Sequence, residues 1–367
     1  MDNGRDADGR RWLQRDRIGN DVTTYDPDDS SGTRTLIDAM ITALVAPDAT
    51  RVEIRRREGG EQGFSGATLR YYDVTYCRQD EAGAMSLVIK DAPLHERRTH
   101  MWLNTHGLPV PLSYTRDLTT DAPAPLCMQF IEGKPTSAER GQIAPHTLAA
   151  IHYAAMGHGN DLPWVPRADA AFFEEIVANW REPWHAALHG PEAFATWGAQ
   201  HPFAWGAMQP KNSRSDFAAA FAAETPLLET AANRFLRAMT TLWDESDALT
   251  LIHADFHGEH IRVSDGRGYV IDWGQARYGP LYIDLPNYFP MRDDAFRYRD
   301  ALAALGHDIP RDVFLARYAA ARAYPGFKYF GFAFHRWFYG NPPYQRDDVQ
   351  YWINMVRIGP DKREWAM

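Results

Sequence analysis

The 367-residue chain is poor in cysteine, short of positive charge and without any long apolar run. Cys77 and Cys127 are its only cysteines. That excludes a disulfide framework and leaves two buried thiols in a reducing compartment as the expectation. Nowhere do roughly 18 apolar residues follow one another as a bilayer-spanning helix requires. The opening Met-Asp-Asn-Gly-Arg-Asp-Ala-Asp leads into no apolar stretch, so no signal peptide is expected and a cytoplasmic location is. The 39 Lys and Arg are outnumbered by 48 Asp and Glu, a net charge of −9. This speaks against a nucleic-acid partner, whose phosphates call for a basic face, while tolerating a cationic small molecule. Also missing are the Gly-Lys-Ser/Thr of a P-loop, the Gly-x-Gly-x-x-Gly of a dinucleotide site, an internal repeat and any low-complexity tract.

What is present is length for two domains and an aromatic share of 13%, including 12 Trp, which predicts a core rich in large side chains. Residues 1–32 are polar and read as a flexible leader. Apolar spacing over Thr35 to Val45 predicts a helix that stops before Pro47. Strand patterns follow at Arg51 to Arg57, Thr68 to Cys77 and Met85 to Lys90. A helix is expected from Leu94 to Thr105, then a strand from Leu126 to Ile131 ending in the break Glu132-Gly133-Lys134-Pro135. From there helical periodicity dominates, at 143–156, 168–190, 214–224, 227–243, 292–305 and 310–322. A short strand at Thr250 to Ile252 precedes the segment described next. Beyond it, Ile261 to Val263 and Tyr269 to Ile271 are the only strand-like pieces, flanking the turn 264–268. The pattern predicts an α+β chain with lobes at 33–132 and 133–367.

The most informative segment is Leu-Ile-His253-Ala-Asp255-Phe-His257-Gly-Glu-His260-Ile, with Ile-Asp272-Trp-Gly274 closely after it. It places one carboxylate in a turn, then a hairpin, then a second carboxylate at a strand end. Phosphoryl transfer uses such a pair, one Asp orienting the attacking hydroxyl and the other holding the metal that bridges the phosphates. Mg²⁺ takes hard oxygen ligands and keeps several waters, so one carboxylate plus phosphate oxygens suffices. His253 is expected to brace the loop. The histidines do not have zinc-protease spacing: one residue separates His257 from Glu259, and Gly258 opposes a helix.

Upstream, Lys90 closes the apolar strand Leu-Val-Ile-Lys, and Glu96 falls in the first turns of the next helix, the logic of a lysine that reaches nucleotide phosphates while paired to a helix glutamate. The link holding Gly63, Ser65 and Gly66 would let backbone N–H groups approach phosphates.

Taken in order, Gly63-Phe-Ser65-Gly66, Val-Ile-Lys90, Glu96, Met128-Gln-Phe130-Ile-Glu-Gly133, Leu148-Ala-Ala-Ile-His152, His253-Ala-Asp255 and Ile271-Asp272-Trp273 resemble the aminoglycoside phosphotransferase and choline kinase superfamily. The resemblance runs from about residue 40 to 330 and is most specific at 250–285. It implies a two-lobed protein-kinase-like fold, with a small antiparallel-sheet N-lobe and a larger helical C-lobe. It further implies ATP or GTP with Mg²⁺ and a hydroxyl acceptor. By the same resemblance Asp255 is the catalytic residue, Asp272 a metal ligand, Lys90 a phosphate contact and Glu96 its partner. The backbone at Gln129, Phe130 and Ile131 takes the nucleotide base, and Asp284 braces structure.

His260 stands where the common pattern has Asn, offering nitrogen in place of a neutral oxygen. It is a metal ligand of altered type, a sign of a lost second metal, or the mark of a silent pseudokinase. The macrolide phosphotransferases, a branch of the superfamily, resemble the chain in carrying His here. Residues 157–215 and 323–367 are expected to line the acceptor site. The first stretch brings Asp161, Asp169, Glu174, Glu175 and Glu182 among Trp164, Phe172, Phe173, Trp180 and Trp184. The second brings Tyr329, Phe330, Trp337, Tyr339, Asp347 and Asp348. Acids among aromatics suit an amine-bearing substrate with a sizeable body. The expected activity is therefore O-phosphorylation of a small cationic molecule, foremost an antibiotic of aminoglycoside or macrolide type, with a choline- or amino-alcohol-type metabolite as the alternative.

Overall fold

The computed structural model describes residues 31–49, 51–57, 68–78, 81–190, 192, 194, 212–339 and 345–357. The leader expected at 1–32 lies outside them apart from its last two residues, and so does the link with Gly63, Ser65 and Gly66. The chain divides into two compact units.

The first unit takes its described residues from 31–92 and 112–130. Helix α1 (Ser31–Met40) runs on into a π-helical turn to Val45, ending ahead of Pro47 as the pattern predicts. Strands β1 (Arg51–Arg56), β2 (Arg70–Arg78) and β3 (Glu81–Ala92) form an antiparallel meander. Helix α2 (Leu94–Thr105) separates them in sequence from β4 (Ser113–Tyr114) and β5 (Ala124–Gln129). The sheet order is β1-β2-β3-β5-β4. Strand periodicity puts Tyr72, Val74, Leu87 and Ile89 on one face, where Leu36, Ile37, Met40 and Ile41 of the helix cover them together with Cys127. Each such side chain contributes about 1.5–3 kcal/mol by leaving water. Burial also pushes the Cys127 thiol up to about 12, so it packs as an unreactive hydrophobe. Cys77 is only half-buried, short of the burial expected for both thiols.

The second unit comprises 93–111 and the described residues from 131 onward. Helix α2 thus groups with this unit, whereas the sequence pattern put everything up to 132 with the sheet. Its other helices are α3 (Ser137–Ala155), α4 (Ala170–His189), α5 (Arg214–Phe221) and α6 (Thr225–Asp244). Strands β6 (Leu249–Ile252), β7 (Ile261–Ser264), β8 (Arg267–Val270) and β9 (Arg277–Pro280) follow. After them come α7 (Leu285–Tyr288), α8 (Arg292–Ala304), α9 (Arg311–Ala321), α10 (Tyr324–Tyr339) and α11 (Gln345–Arg357). Strand β9, which pairs with β6, corrects the expectation that the hairpin flanks were the only strands past residue 260. Its Arg-Tyr-Gly-Pro has no alternating pattern and becomes a strand only through its partner. Trp180, Trp184, Phe217, Phe221, Phe235, Phe327, Phe330 and Phe334 form the aromatic core, as the composition predicts. Among the described residues, no helix is long and apolar enough to cross a membrane.

One contact fixes the β7–β8 hairpin. Val263 N–H donates to the Gly133 carbonyl at 2.8 Å, and a Cβ on Gly133 would stand 1.8 Å from the Val263 oxygen. No side chain fits there. Gly133→Ala is expected to cost about 2 kcal/mol, read as a lower denaturation midpoint; an unchanged midpoint would mean that the hairpin shifts freely.

Candidate active site

Strand β6 delivers the loop His253-Ala254-Asp255, and a buried carboxylate holds it. Asp284 Oδ2 accepts from the His253 N–H at 2.6 Å and Oδ1 from the Ala254 N–H at 2.7 Å. The His152 ring, fully buried on α3, lies 3.2 Å from Oδ2 and bonds Tyr298 Oη through its other nitrogen at 2.7 Å. Thr250 Oγ1 donates to the His152 carbonyl at 2.6 Å. These bonds hold Ala254 at φ +59°, a conformation that L-residues adopt only where surroundings impose it. Asp284 braces the loop, in keeping with the expectation for it.

His253 ties this loop to the end of β8. Its Nε2–H donates to the Ile271 carbonyl at 2.8 Å, while Nδ1 accepts from the Asp255 N–H at 3.3 Å. Burial pushes the imidazole down, against the Asp284 carboxylate that pulls it up, so the ring is a neutral brace. Asp272 follows Ile271 at φ +65°, with its side chain 52% exposed. The next turn meets α2: His95 Nε2 lies 2.9 Å from the Gly274 carbonyl. A Cβ on Gly274 would come within 3.3 Å of Glu96 Oε2, so glycine lets this turn approach the buried Glu96 carboxylate.

Asp255 is held by a group that sequence reasoning did not identify. Lys328 Nζ, from α10, lies 2.8 Å from Asp255 Oδ1 and also donates to the Ala254 carbonyl. Tyr329 Oη donates to the same Oδ1. Burial raises the Asp255 carboxyl, but the Lys328 ammonium, His260 and these hydrogen bonds outweigh it and hold the group below its usual range. Burial lowers the Lys328 ammonium despite Asp255 beside it. The two shifts are opposite in what they favour; the lowered carboxyl carries the argument, because two donors converge on one ionised oxygen. A signal for Lys328 existed. Lysine occurs at only five positions in the chain, and this one interrupts the apolar run Tyr-Pro-Gly-Phe-Lys-Tyr-Phe-Gly-Phe.

His260 and Asp272 lie side by side. His260 Nδ1 donates to the Asp255 carbonyl at 2.7 Å, since a carbonyl oxygen only accepts. Burial first, then the His253 ring, pushes this imidazole down to about 4, against Asp255 and Asp272. The neutral ring therefore presents the Nε2 lone pair, 3.5 Å from Asp272 Oδ2. A nitrogen and a carboxylate oxygen facing each other are a donor set that a divalent cation fits. Asp255, His257 and His260 also lie close enough to share an ion, their ligand atoms within 4.8 Å. However, His257 Nδ1 accepts the Glu259 N–H at 3.2 Å. Its proton then sits on Nε2 and leaves no lone pair for a metal, which opposes a zinc cluster as the spacing does.

Lys90 lies on β3 opposite Leu126 in the first unit, and Glu96 on α2 in the second. The N–H groups of Gln129 and Phe130 are donated to the Leu112 and Ser86 carbonyls, both at 2.8 Å. The acids expected around an amine substrate are paired, capping or exposed. Asp161 pairs with His158 at 2.8 Å, Asp169 caps α4, and Glu174, Glu175 and Glu182 are exposed. Asp348 faces Arg336 at 3.1 Å and Asp347 is exposed. Phe172, Phe173, Trp180, Trp184, Phe330 and Trp337 are core side chains and Trp164 packs against them; Tyr339 lies where its side chain is not described. Tyr329, of the expected lining, bonds Asp255 in the loop.

The model of the phosphotransferase enzyme family matches residues 69–338. A search of curated proteins found no match. Among solved structures, the chain is similar to the amicoumacin kinase hAmiN in complex with AMP-PNP, Ca²⁺ and Ami, at 12% identity over 90% of this chain and 96% of that one, with a TM-score of 0.52. An aminoglycoside phosphotransferase from Alicyclobacillus acidocaldarius subsp. acidocaldarius DSM 446 is 13% identical over 78% and 86%, with a TM-score of 0.49. The choline kinase LicA from Streptococcus pneumoniae is 15% identical over 89% and 99%, with a TM-score of 0.43.

Proposed function

Because the chain belongs to the phosphotransferase enzyme family, whose model spans well over half of it, we propose that the Asp255 loop is where it transfers the γ-phosphate of ATP or GTP to a hydroxyl. As a family member it is a small-molecule kinase, and the finer reading is an antibiotic O-phosphotransferase of aminoglycoside or macrolide type acting in the cytoplasm. In this reading residues 33–132 serve the nucleotide, with Gly63, Ser65, Gly66 and Lys90 at its phosphates, Glu96 paired to Lys90 and Ile131 at its base. Residues 133–367 serve the acceptor. The observation that carries the reading is Asp255, held at Oδ1 by Lys328 at 2.8 Å, in one loop with His260, whose Nε2 lies 3.5 Å from Asp272 Oδ2.

Asp255 Oδ2 would accept the hydrogen of the attacking hydroxyl and orient its lone pair toward the γ-phosphorus. As the new O–P bond forms, the bond from the γ-phosphorus to the bridging oxygen breaks, and the nucleoside diphosphate departs with the electron pair. The hydroxyl proton passes to Asp255 and on to solvent. Asp272 and His260 would hold a divalent cation, which neutralises charge on the phosphate oxygens when bound. The imidazole is a softer donor than Mg²⁺ usually takes.

The placement of the acids bears on the acceptor. With Lys328 rather than a carboxylate cluster beside Asp255, any amine on the acceptor would sit away from the hydroxyl that reacts. The test is a phosphorylation screen of hydroxylated antibiotics and amino alcohols with both ATP and GTP, alongside thermal unfolding with Mg-nucleotide. Nucleotide at a hundred times its Kd is expected to stabilise the fold by about 2.7 kcal/mol, several degrees in Tm. An unshifted Tm would remove the kinase reading. A shift without turnover on any acceptor would favour a silent nucleotide-binding protein, and turnover on choline or ethanolamine alone a metabolite kinase.

A further inference from the structure

One helix turn of α10 faces the Asp255 loop with three polar groups. Tyr324 Oη and Lys328 Nζ both donate to the Ala254 carbonyl. Lys328 Nζ and Tyr329 Oη both converge on Asp255 Oδ1, and Asn287 Nδ2 donates to Tyr329 Oη at 3.4 Å. The ammonium lies 5.7 and 5.3 Å from the Tyr324 and Tyr329 ring centroids, and its side chain is 14% exposed. A buried lysine tied to a carboxylate, a carbonyl and two rings has little rotamer freedom.

The carboxylate is thereby divided. Oδ1 takes two donors, whereas among the described residues Oδ2 accepts no hydrogen bond. The His260 Nδ1 is 3.9 Å from Oδ2 and donates to the Asp255 carbonyl instead. We propose that Lys328 is a positioning residue of the transfer site, fixing Asp255 through Oδ1 so that Oδ2 alone is presented to the acceptor hydroxyl. The inference rests on the phosphotransfer reading. Lys328 touches neither the phosphoryl group nor the acceptor in this role. It keeps the carboxylate charged and aimed, and ties its angle to the backbone through the Ala254 carbonyl.

The test compares the full-length chain with Lys328→Met, Lys328→Arg and Tyr329→Phe. Inorganic phosphate released from Mg-ATP and Mg-GTP with water as acceptor measures transfer, and the nucleotide-induced rise in Tm measures binding. Lys328→Met is expected to lower kcat about a hundredfold, the scale of a small misplacement of a reacting group, with the KM for nucleotide and the Tm rise unchanged. Lys328→Arg, which keeps the charge, is expected to recover part of that loss. Tyr329→Phe, which removes one donor from Oδ1, is expected to lower kcat about fivefold. Full turnover by Lys328→Met, or a loss that follows KM or the Tm rise instead of kcat, overturns the proposal. If Lys328→Met does not fold, Lys328→Arg and Tyr329→Phe decide it, and unchanged kcat in both overturns it. When the unaltered chain gains no stability from nucleotide and releases no phosphate, the phosphotransfer reading falls and the proposal with it. Binding and turnover in the unaltered chain with no kcat effect in the variants removes the role of Lys328 alone.

Discussion

Asp255→Asn is expected to lower phosphoryl transfer about a thousandfold, within the range that a positioned acid–base group supplies, while nucleotide still raises Tm. The substitution keeps the shape but removes the charge that receives the hydroxyl proton. An amide nitrogen at either carboxylate position would face donors or the substrate O–H. Lys328 would lose its counter-ion at 2.8 Å, which costs up to about 3 kcal/mol when a buried pair loses one member. The loss is moderated because the ammonium keeps the Ala254 carbonyl. Single-turnover transfer to the best acceptor from the screen separates the two effects, since stability is read independently by denaturant. Turnover within tenfold of the parent would exclude Asp255 from proton transfer.

Asp284→Ala is expected to be the most destabilising change in the loop. The carboxylate is 1% exposed and takes the His253 and Ala254 N–H groups at 2.6 and 2.7 Å, with the His152 ring at 3.2 Å. Each buried group left without a partner costs about 1–3 kcal/mol, so a loss of about 4 kcal/mol is expected, a large part of the stability of an ordinary domain. Ala254 at φ +59° would lose the bond to its N–H and keep only those that Tyr324 and Lys328 give its carbonyl, so activity should fall even in the folded fraction. Asp284→Asn should recover only part, because one oxygen replaces two and the amide group meets the N–H it displaces. Urea denaturation checks this, and a midpoint within about 1 kcal/mol of the parent would show that water or another group takes up the donors.

Much of the second unit's chemistry was legible because it is local. Helix α2 begins and ends at Leu94 and Thr105 as its apolar spacing predicts. The β7–β8 hairpin forms around Ser264 to Gly268 as its turn residues require. His253 as a loop brace was also readable from its place in the turn after β6. What was not legible depends on partners remote in sequence. Strand β9 exists through β6, and α10 was hidden by Pro325 and Gly326 at the start of an aromatic segment. For the expected acid-and-aromatic acceptor lining, composition reports which side chains occur, not which way they face. Trp180 and Trp184 point into the core, and Glu174 and Glu182 into solvent.

The turn with Asp255, the strand ending in Asp272 and the imidazole between them were determined by the sequence alone, because period-2 apolar runs bounded by turn residues specify such a hairpin wherever it lies. That was enough to raise the expectation of phosphoryl transfer. The tertiary structure decided how Asp255 is charged and aimed. Lys328 is 74 residues from Ala254, whose carbonyl it bonds beside Asp255, and no local pattern encodes a contact that exists only once α10 packs against the loop. Burial makes that contact strong, since in a low-dielectric site an ammonium and a carboxylate select one geometry where water would have left them apart.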